Sequence, residues 1–320
     1  MHVHALQKHI MLNTLSAGLR AKASKSSNYK ALAKKTKPRE CITSDNPLSE
    51  IVVDFRSRLF MYIRTKYINK PLKQKIDGLF RAINDLEAEK KHVFQAALAV
   101  MKVEVSLMHV RKVTYVFPSS TTCPYKKHVK SLAKAAAESK LIGLKSCIQE
   151  FKRDMLDADL LSKCIAALES YMISDLEGIC SVYKGVEWLF VPKAEYVAPK
   201  EGDMFESDRT CARLGKSSAV LSEDFDCLAL FGGNLMVREV YNGFFSYIVL
   251  KDVMETFKSK TRKNLVEKCC LMGNDYNFGL KGVGPVKVTK IDASETSKLC
   301  KTCLSAQTIK SEDFWKFFLL

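Results

Sequence analysis

Residues 198–240, APKEGDMFESDRTCARLGKSSAVLSEDFDCLALFGGNLMVREV, set two acidic pairs around a short apolar run: Glu206 with Asp208, and Asp224 with Asp226. Ala219–Ser222 and Leu235–Val240 read as strands, and residues 204–214 as a helix between apolar segments. Outward from this stretch the alternation continues. Glu187–Val191, Phe244–Leu250, Ile51–Asp54 and Lys112–Phe117 have the β-branched and aromatic content of strands. Residues 72–107 carry Leu79, Ile83, Leu86, Val93, Ala97 and Val100 at helical spacing, enough for one or two amphipathic helices. Helical patterns follow over 126–140, 141–180 and 264–272. Strands alternating with helices predict an α/β fold with a mainly parallel central sheet.

The chain has 320 residues, 47% of them apolar, so it can bury a large core and is not disordered as a whole. A net charge of +16 makes a polyanion, nucleic acid above all, the first partner to consider. No run of eighteen apolar residues predicts a membrane span, and MHVHALQKHI lacks the order of a signal peptide, so an intracellular protein is expected. Eleven cysteines at irregular spacing read as reduced, buried thiols. Cys300 and Cys303 form a CxxC with no second pair to complete a zinc site. The segment 21–39, AKASKSSNYKALAKKTKPR, reads as a basic connection or weak helix.

In sheets of this kind ligands gather at the carboxyl ends of strands. Asp54 closes the run IVVD, the pairs Glu206/Asp208 and Asp224/Asp226 flank a strand, and Asp275 follows a helix end in CCLMGNDY. Six clustered carboxylates repel one another unless cations neutralise them, and hard oxygen ligands select Mg²⁺ or Mn²⁺. After Asp275 comes GLKGVGPVKV, in which Gly282, Val283, Gly284 and Pro285 make a tight turn. Its exposed backbone N–H groups suit a phosphate or a monovalent ion, with Lys281, Lys287 and Lys290 around it.

These residues carry a resemblance. Residues 198–240 and 265–288 resemble the internal nuclease region of the flap endonuclease family of structure-specific 5′ nucleases, and IVVDFRSRLF resembles its N-terminal block. The resemblance implies a PIN-like nuclease core, a basic helical arch, and a helix–two-turn–helix element around 276–292 that grips duplex DNA. It implies one nuclease domain over 1–320: an N-terminal block to about 118 with the insert 21–39, an arch and helical region 119–185, an internal block 186–292 and a tail 293–320. Asp54, Glu206, Asp208, Asp224, Asp226 and Asp275 match six of seven metal-site acids, the first three leaning towards one Mg²⁺ or Mn²⁺ and the last three towards a second. K⁺ is implied at the turn Gly282–Gly284. The expected activity is 5′ flap endonuclease and 5′–3′ exonuclease cleavage of branched DNA, in replication, repair or recombination.

Two departures stand out. Where the family closes its second strand with Asp, TYVFPSS supplies Pro118, and where it begins Met-Gly this chain has His2, although Val3, Leu6 and Ile10 keep the apolar spacing. The lost acid opens the alternative of a DNA-binding member that no longer cuts. An RNA endonuclease like the viral factors that degrade messenger RNA is a second alternative. Lys126, Lys127, Lys130 and Lys134 occupy the place of the arch and are the candidates for orienting the scissile phosphate. Phe314, Phe317 and Phe318 are spaced like the anchors of a sliding-clamp peptide, yet a terminal helix packing on the core is the favoured reading. The compact form and basic insert fit a large DNA virus, acting in the nucleus or at a viral replication site.

Overall fold

The computed structural model describes residues 34–36, 50–108, 110–119, 121, 123–181, 194–241, 244–307 and 311–319. In chain order, β1 (Lys34–Thr36) and β2 (Glu50–Asp54) lead into α1 (Phe55–Tyr62), α2 (Leu72–Asn84) and α3 (Leu86–Met108). Next come β3 (Lys112–Val116), α4 (Lys127–Arg153), α5 (Ala158–Ser174), α6 (Leu176–Ser181) and β4 (Ala194–Val197). The internal block contains α7 (Ser207–Leu214), β5 (Ala219–Leu221), α8 (Asp226–Ala229), β6 (Leu235–Tyr241) and β7 (Phe244–Val249). It ends with α9 (Leu250–Thr256), α10 (Arg262–Met272), α11 (Pro285–Val288), α12 (Ala293–Ser305) and α13 (Ser311–Phe318).

The strands form one sheet in the order β1-β7-β6-β5-β2-β3-β4. The β6-β5-β2-β3-β4 pairings are parallel, and β7 joins β6 and β1 antiparallel. The expected α/β fold with a mainly parallel sheet is therefore present. β2 explains why the centre is stable: Ile51 and Val53 enter the cluster built with α1–α6, while Val52 faces the opposite side with Cys211 and Cys227. A strand buried on both faces needs apolar residues throughout, which is why IVV is unbroken. Asp54 follows Val52 on that second face, and its partner across β3 is Val116. Register thus brings the ends of β2 and β3 to one edge, with Pro118 two residues past it.

A second cluster joins α8–α10 to α12 and α13. The three tail aromatics Phe314, Phe317 and Phe318 lie inside it, at 1%, 0% and 0% exposure. Phe317 and Phe318 pack mostly edge-on against Phe231 and Tyr276. Burying each such ring is worth roughly 1.5–3 kcal/mol, so a sliding clamp would have to pull them from the core, and the tail is the packing helix that the sequence reading favours. Arg262 holds the end of α13 by donating to the Phe318 carbonyl at 3.4 Å and to Leu230 at 2.9 Å.

Other expectations shift in detail. Of the one or two helices expected over 72–107 there are two, separated at the extended Asp85. The helix expected from Met204 starts at Ser207, because Met204 and Phe205 take positive φ. The expected strand 187–191 and the start of the chain, His2, Val3, Leu6 and Ile10 included, lie outside the described residues, and β4 at 194–197 was not anticipated. Of the basic segment, Lys34–Thr36 is a strand rather than a helix, paired with β7. The ten described cysteines are free thiols, and Cys300 and Cys303 are buried on α12. No helix among the described residues is long and apolar enough to cross a membrane.

Candidate active site

Asp54 starts the site. It ends β2 and caps α1, accepting from the Ser57 N–H at 3.2 Å and from Ser222 Oγ at 2.8 Å. Ser222 follows β5, so this bond ties the ends of two neighbouring strands together. The same Ser222 oxygen accepts from the Asp224 N–H at 3.0 Å, and Asp224 Oδ1 accepts from the Asp226 N–H at 3.1 Å. Ser57 Oγ in turn accepts from the Glu223 N–H at 2.7 Å. Two serines therefore set the loop that carries Asp224 and Asp226. Sequence reading missed both, since a serine after a strand carries no distinguishing signal.

Glu206 and Asp208 arrive from the first turn of α7, both buried. The nearby Asp203, also buried, is engaged elsewhere, receiving Arg213 at 2.7 Å and Thr210 at 2.9 Å. Asp275 comes from the loop after α10, where the Asn274 side chain accepts from the Tyr276 N–H at 2.8 Å and the Asn277 N–H at 3.1 Å. Gly273 permits that bend, with φ +85°.

These acids converge. Ligand atoms of Asp208, Asp224 and Asp226 lie within 4.8 Å of one another, and so do those of Asp54, Asp208 and Cys227. Asp208 belongs to both groups, and Glu206 and Asp275 are joined to it through Lys126. Lys126 Nζ lies 3.1 Å from Glu206 Oε1, 3.5 Å from Asp208 Oδ2 and 3.4 Å from Asp275 Oδ2. Asp208 is shared by both groups and one ammonium spans Glu206 and Asp275, so the two sets that the resemblance implies, Asp54, Glu206, Asp208 and Asp224, Asp226, Asp275, adjoin in one pocket.

Protonation follows from the crowding. Burial, then repulsion from Asp208, pushes Asp54 up to about 7, against its two hydrogen bonds. Burial and Asp224 push Asp208 to about 7. Asp226 rises well above the carboxylate range through burial, Asp224 and Asp275. Asp224 reaches about 6 in the same dense surroundings, with Asp275 adding repulsion. Its side chain is the exposed one of the Asp208, Asp224 and Asp226 group. For Lys126, burial pulls downward but Glu206, Asp275 and Asp208 outweigh it and hold the ammonium charged. Cys227 donates to Asp208 Oδ1 at 3.3 Å. Its hydrogen bond with Cys211 and its burial keep that thiol protonated, so it orients Asp208 rather than acting as a thiolate.

The donor set fits a hard divalent cation. It is all carboxylate oxygen, crowded enough that protons are retained, and Asp275 Oδ1 is buried with no hydrogen-bond partner. Of the lysines proposed for the arch, Lys126 lies in the pocket, 4% exposed on the turn Pro124–Lys126 that opens α4. The side chains of Lys127 and Lys130 lie outside the described residues, and Lys134 is exposed two helical turns along α4. A second cation was not foreseen. Arg56, two residues after Asp54, faces Asp275, Asp208, Glu206 and Glu177, which outweigh its burial and keep it charged, and its Nε is buried without a partner. Lys281, Lys287 and Lys290 are exposed around Gly282, whose φ is +78°.

Residues 196–275 match the XPG I-region family model, a span that holds five of the six acids. Flap endonuclease 1 of Pyrobaculum calidifontis is 31% identical over 186 residues, 53% of this chain and 50% of that protein. DNA repair protein RAD2 of Saccharomyces cerevisiae is 31% identical over 93 residues, 28% of this chain and 9% of that one. Among solved structures, the catalytic core of Rad2 in complex with DNA substrate aligns at a TM-score of 0.46 and 15% identity, covering 90% of this chain and 76% of that chain. The chain spans about half the length of the flap endonuclease it matches. The chain thus carries an XPG I-region whose acids meet Asp54 in one pocket, and over about half its length it is similar to flap endonucleases.

Proposed function

We propose that the chain is a divalent-metal-dependent 5′ nuclease that cuts branched DNA at a 5′ flap and releases a 5′-phosphate. The observation that carries this reading is the convergence of Asp54, Asp208, Asp224 and Asp226, with Glu206 and Asp275 linked through Lys126. Asp208, Asp224 and Asp226 would hold a Mg²⁺ or Mn²⁺ ion, with Asp54, Glu206 and Asp275 beside them. Such an ion supplies the positive charge that makes water a nucleophile near neutral pH and offsets charge on the leaving oxygen.

The chain's own residues do the rest. Lys126 and Arg56 set two cations among the acids of the pocket, where they would draw the scissile phosphate against the repulsion of the carboxylates. Lys281, Lys287 and Lys290, with the turn at Gly282–Gly284, would hold the duplex by its phosphates, and the same turn would offer carbonyls to K⁺. Phosphate contacts carry little sequence information, so the substrate is chosen by shape. The net charge of +16 favours such contacts over a large surface.

The test is cleavage of an end-labelled 5′ flap with Mg²⁺ or Mn²⁺, beside Asp224→Ala and beside a matched RNA flap. Metal-dependent product from the wild type, lost in the variant, supports the reading; equal product from both removes it. Preference for the RNA flap would move the substrate class. Pro118, standing where a metal-site acid is expected, favours a second reading: a DNA-binding protein that does not cut. Tight flap binding without product at any divalent concentration would establish that one.

A further inference from the structure

We infer that Lys126 occupies one of the two cation positions of this pocket, so that the chain holds a single divalent ion, at Asp208, Asp224 and Asp226. The inference rests on the metal reading above and departs from it in the number of ions. Four observations lead to it.

The first is geometric. Lys126 Nζ sits among Glu206, Asp208 and Asp275 at 3.1, 3.5 and 3.4 Å, donating a hydrogen bond to Glu206 and pairing with all three charges. It is also 4.6 Å above the Tyr276 ring, a face that a cation favours. The second is that the fold delivers it there. Lys126 ends a tight turn whose N–H donates to the Cys123 carbonyl at 2.9 Å, with Cys123 buried. Tyr276 is braced from behind by Phe317 and Phe318 at 5.1 Å each, so ring and ammonium are both fixed by packing.

The third observation is a deficit of ligands on one side only. The pairing of Asp54 with Val116 leaves Pro118 two residues past the end of β3, where the resemblance implies an acid and a proline offers no donor. The Asp54 and Glu206 side is short of an acid. The fourth is that the other side is complete: Asp208, Asp224 and Asp226 gather within 4.8 Å, and Asp275 keeps an unpartnered buried oxygen. A pocket lacking one acid has less negative charge to hold a second divalent ion, and a lysine supplies a single positive charge without a coordination shell. Lys126 is then both a substitute for the missing ion and a donor for the scissile phosphate.

The experiment counts ions. Mn²⁺ binding to the full chain at pH 8, followed by the electron paramagnetic resonance of free Mn²⁺, is expected to give one ion per wild-type chain. Lys126→Met, similar in length and uncharged, is expected to give two, and Asp226→Asn fewer than one at the same concentrations. Two wild-type ions of affinities within about threefold would overturn the inference and leave the nuclease reading standing. No ion at all would overturn both. The wild-type count needs no variant to fold, so the result stands even if Lys126→Met is unstable.

Discussion

Asp54→Asn should stabilise the metal-free protein at pH 8. The carboxyl of Asp54 is 2% exposed and raised from 3.8 to about 7, mainly by burial and secondly by Asp208. Because the folded state holds this proton more tightly than the unfolded chain, stability is full below pH 3.8 and is lost as pH rises through about 7. Near pH 8 the ionised group therefore costs about 4 kcal/mol, taking roughly 1.4 kcal/mol for each tenfold change in proton affinity. An asparagine avoids that cost but accepts less well from Ser57 and Ser222, which returns about 1 kcal/mol. A net gain of about 3 kcal/mol corresponds to a rise in Tm on the order of 6 °C for a chain of this size.

Differential scanning fluorimetry in EDTA at pH 5.5 and pH 8 reads this directly. The wild type should lose stability between the two values, and the Asp54→Asn variant should lose much less. Saturating Mn²⁺ at pH 8 should reverse the order, since the ion stabilises the wild type through a ligand the variant lacks. If Asp54→Asn is no more stable than the wild type in EDTA at pH 8, the argument that repulsion and burial burden this pocket is wrong.

Arg56→Ala should weaken binding of a 5′ flap by about tenfold and reduce the slope of log affinity against log salt by about one, as expected for one lost phosphate contact; an unchanged slope in fluorescence anisotropy would show that Arg56 serves the acids alone. Phe317→Ala should cost about 3–5 kcal/mol in urea unfolding. A loss below about 1 kcal/mol would mean that α13 is not packed as described.

Much of the architecture was legible because local chemistry and global packing agree. The β-branched run Ile51–Val53 has to be a strand buried on both faces, and the carboxylate that closes it has to lie at the sheet edge. The acids of the internal block were found for the same reason: polar pairs interrupting apolar segments stand out. Asp85 dividing two helices, or Met204 and Phe205 delaying α7, depend on backbone angles that spacing does not encode.

From sequence came six acids, a basic surplus and a parallel sheet to gather them, since residue type and periodicity carry that information. Tertiary structure alone set Lys126 in the pocket, added Arg56, Ser57 and Ser222, and made Asp208 common to both groups of ligand atoms. It also turned the tail aromatics into the wall behind Tyr276. These are relations between residues far apart in the chain: Asp54 and Ser222 are 168 positions apart, and only the register of neighbouring strands brings them within hydrogen-bonding reach.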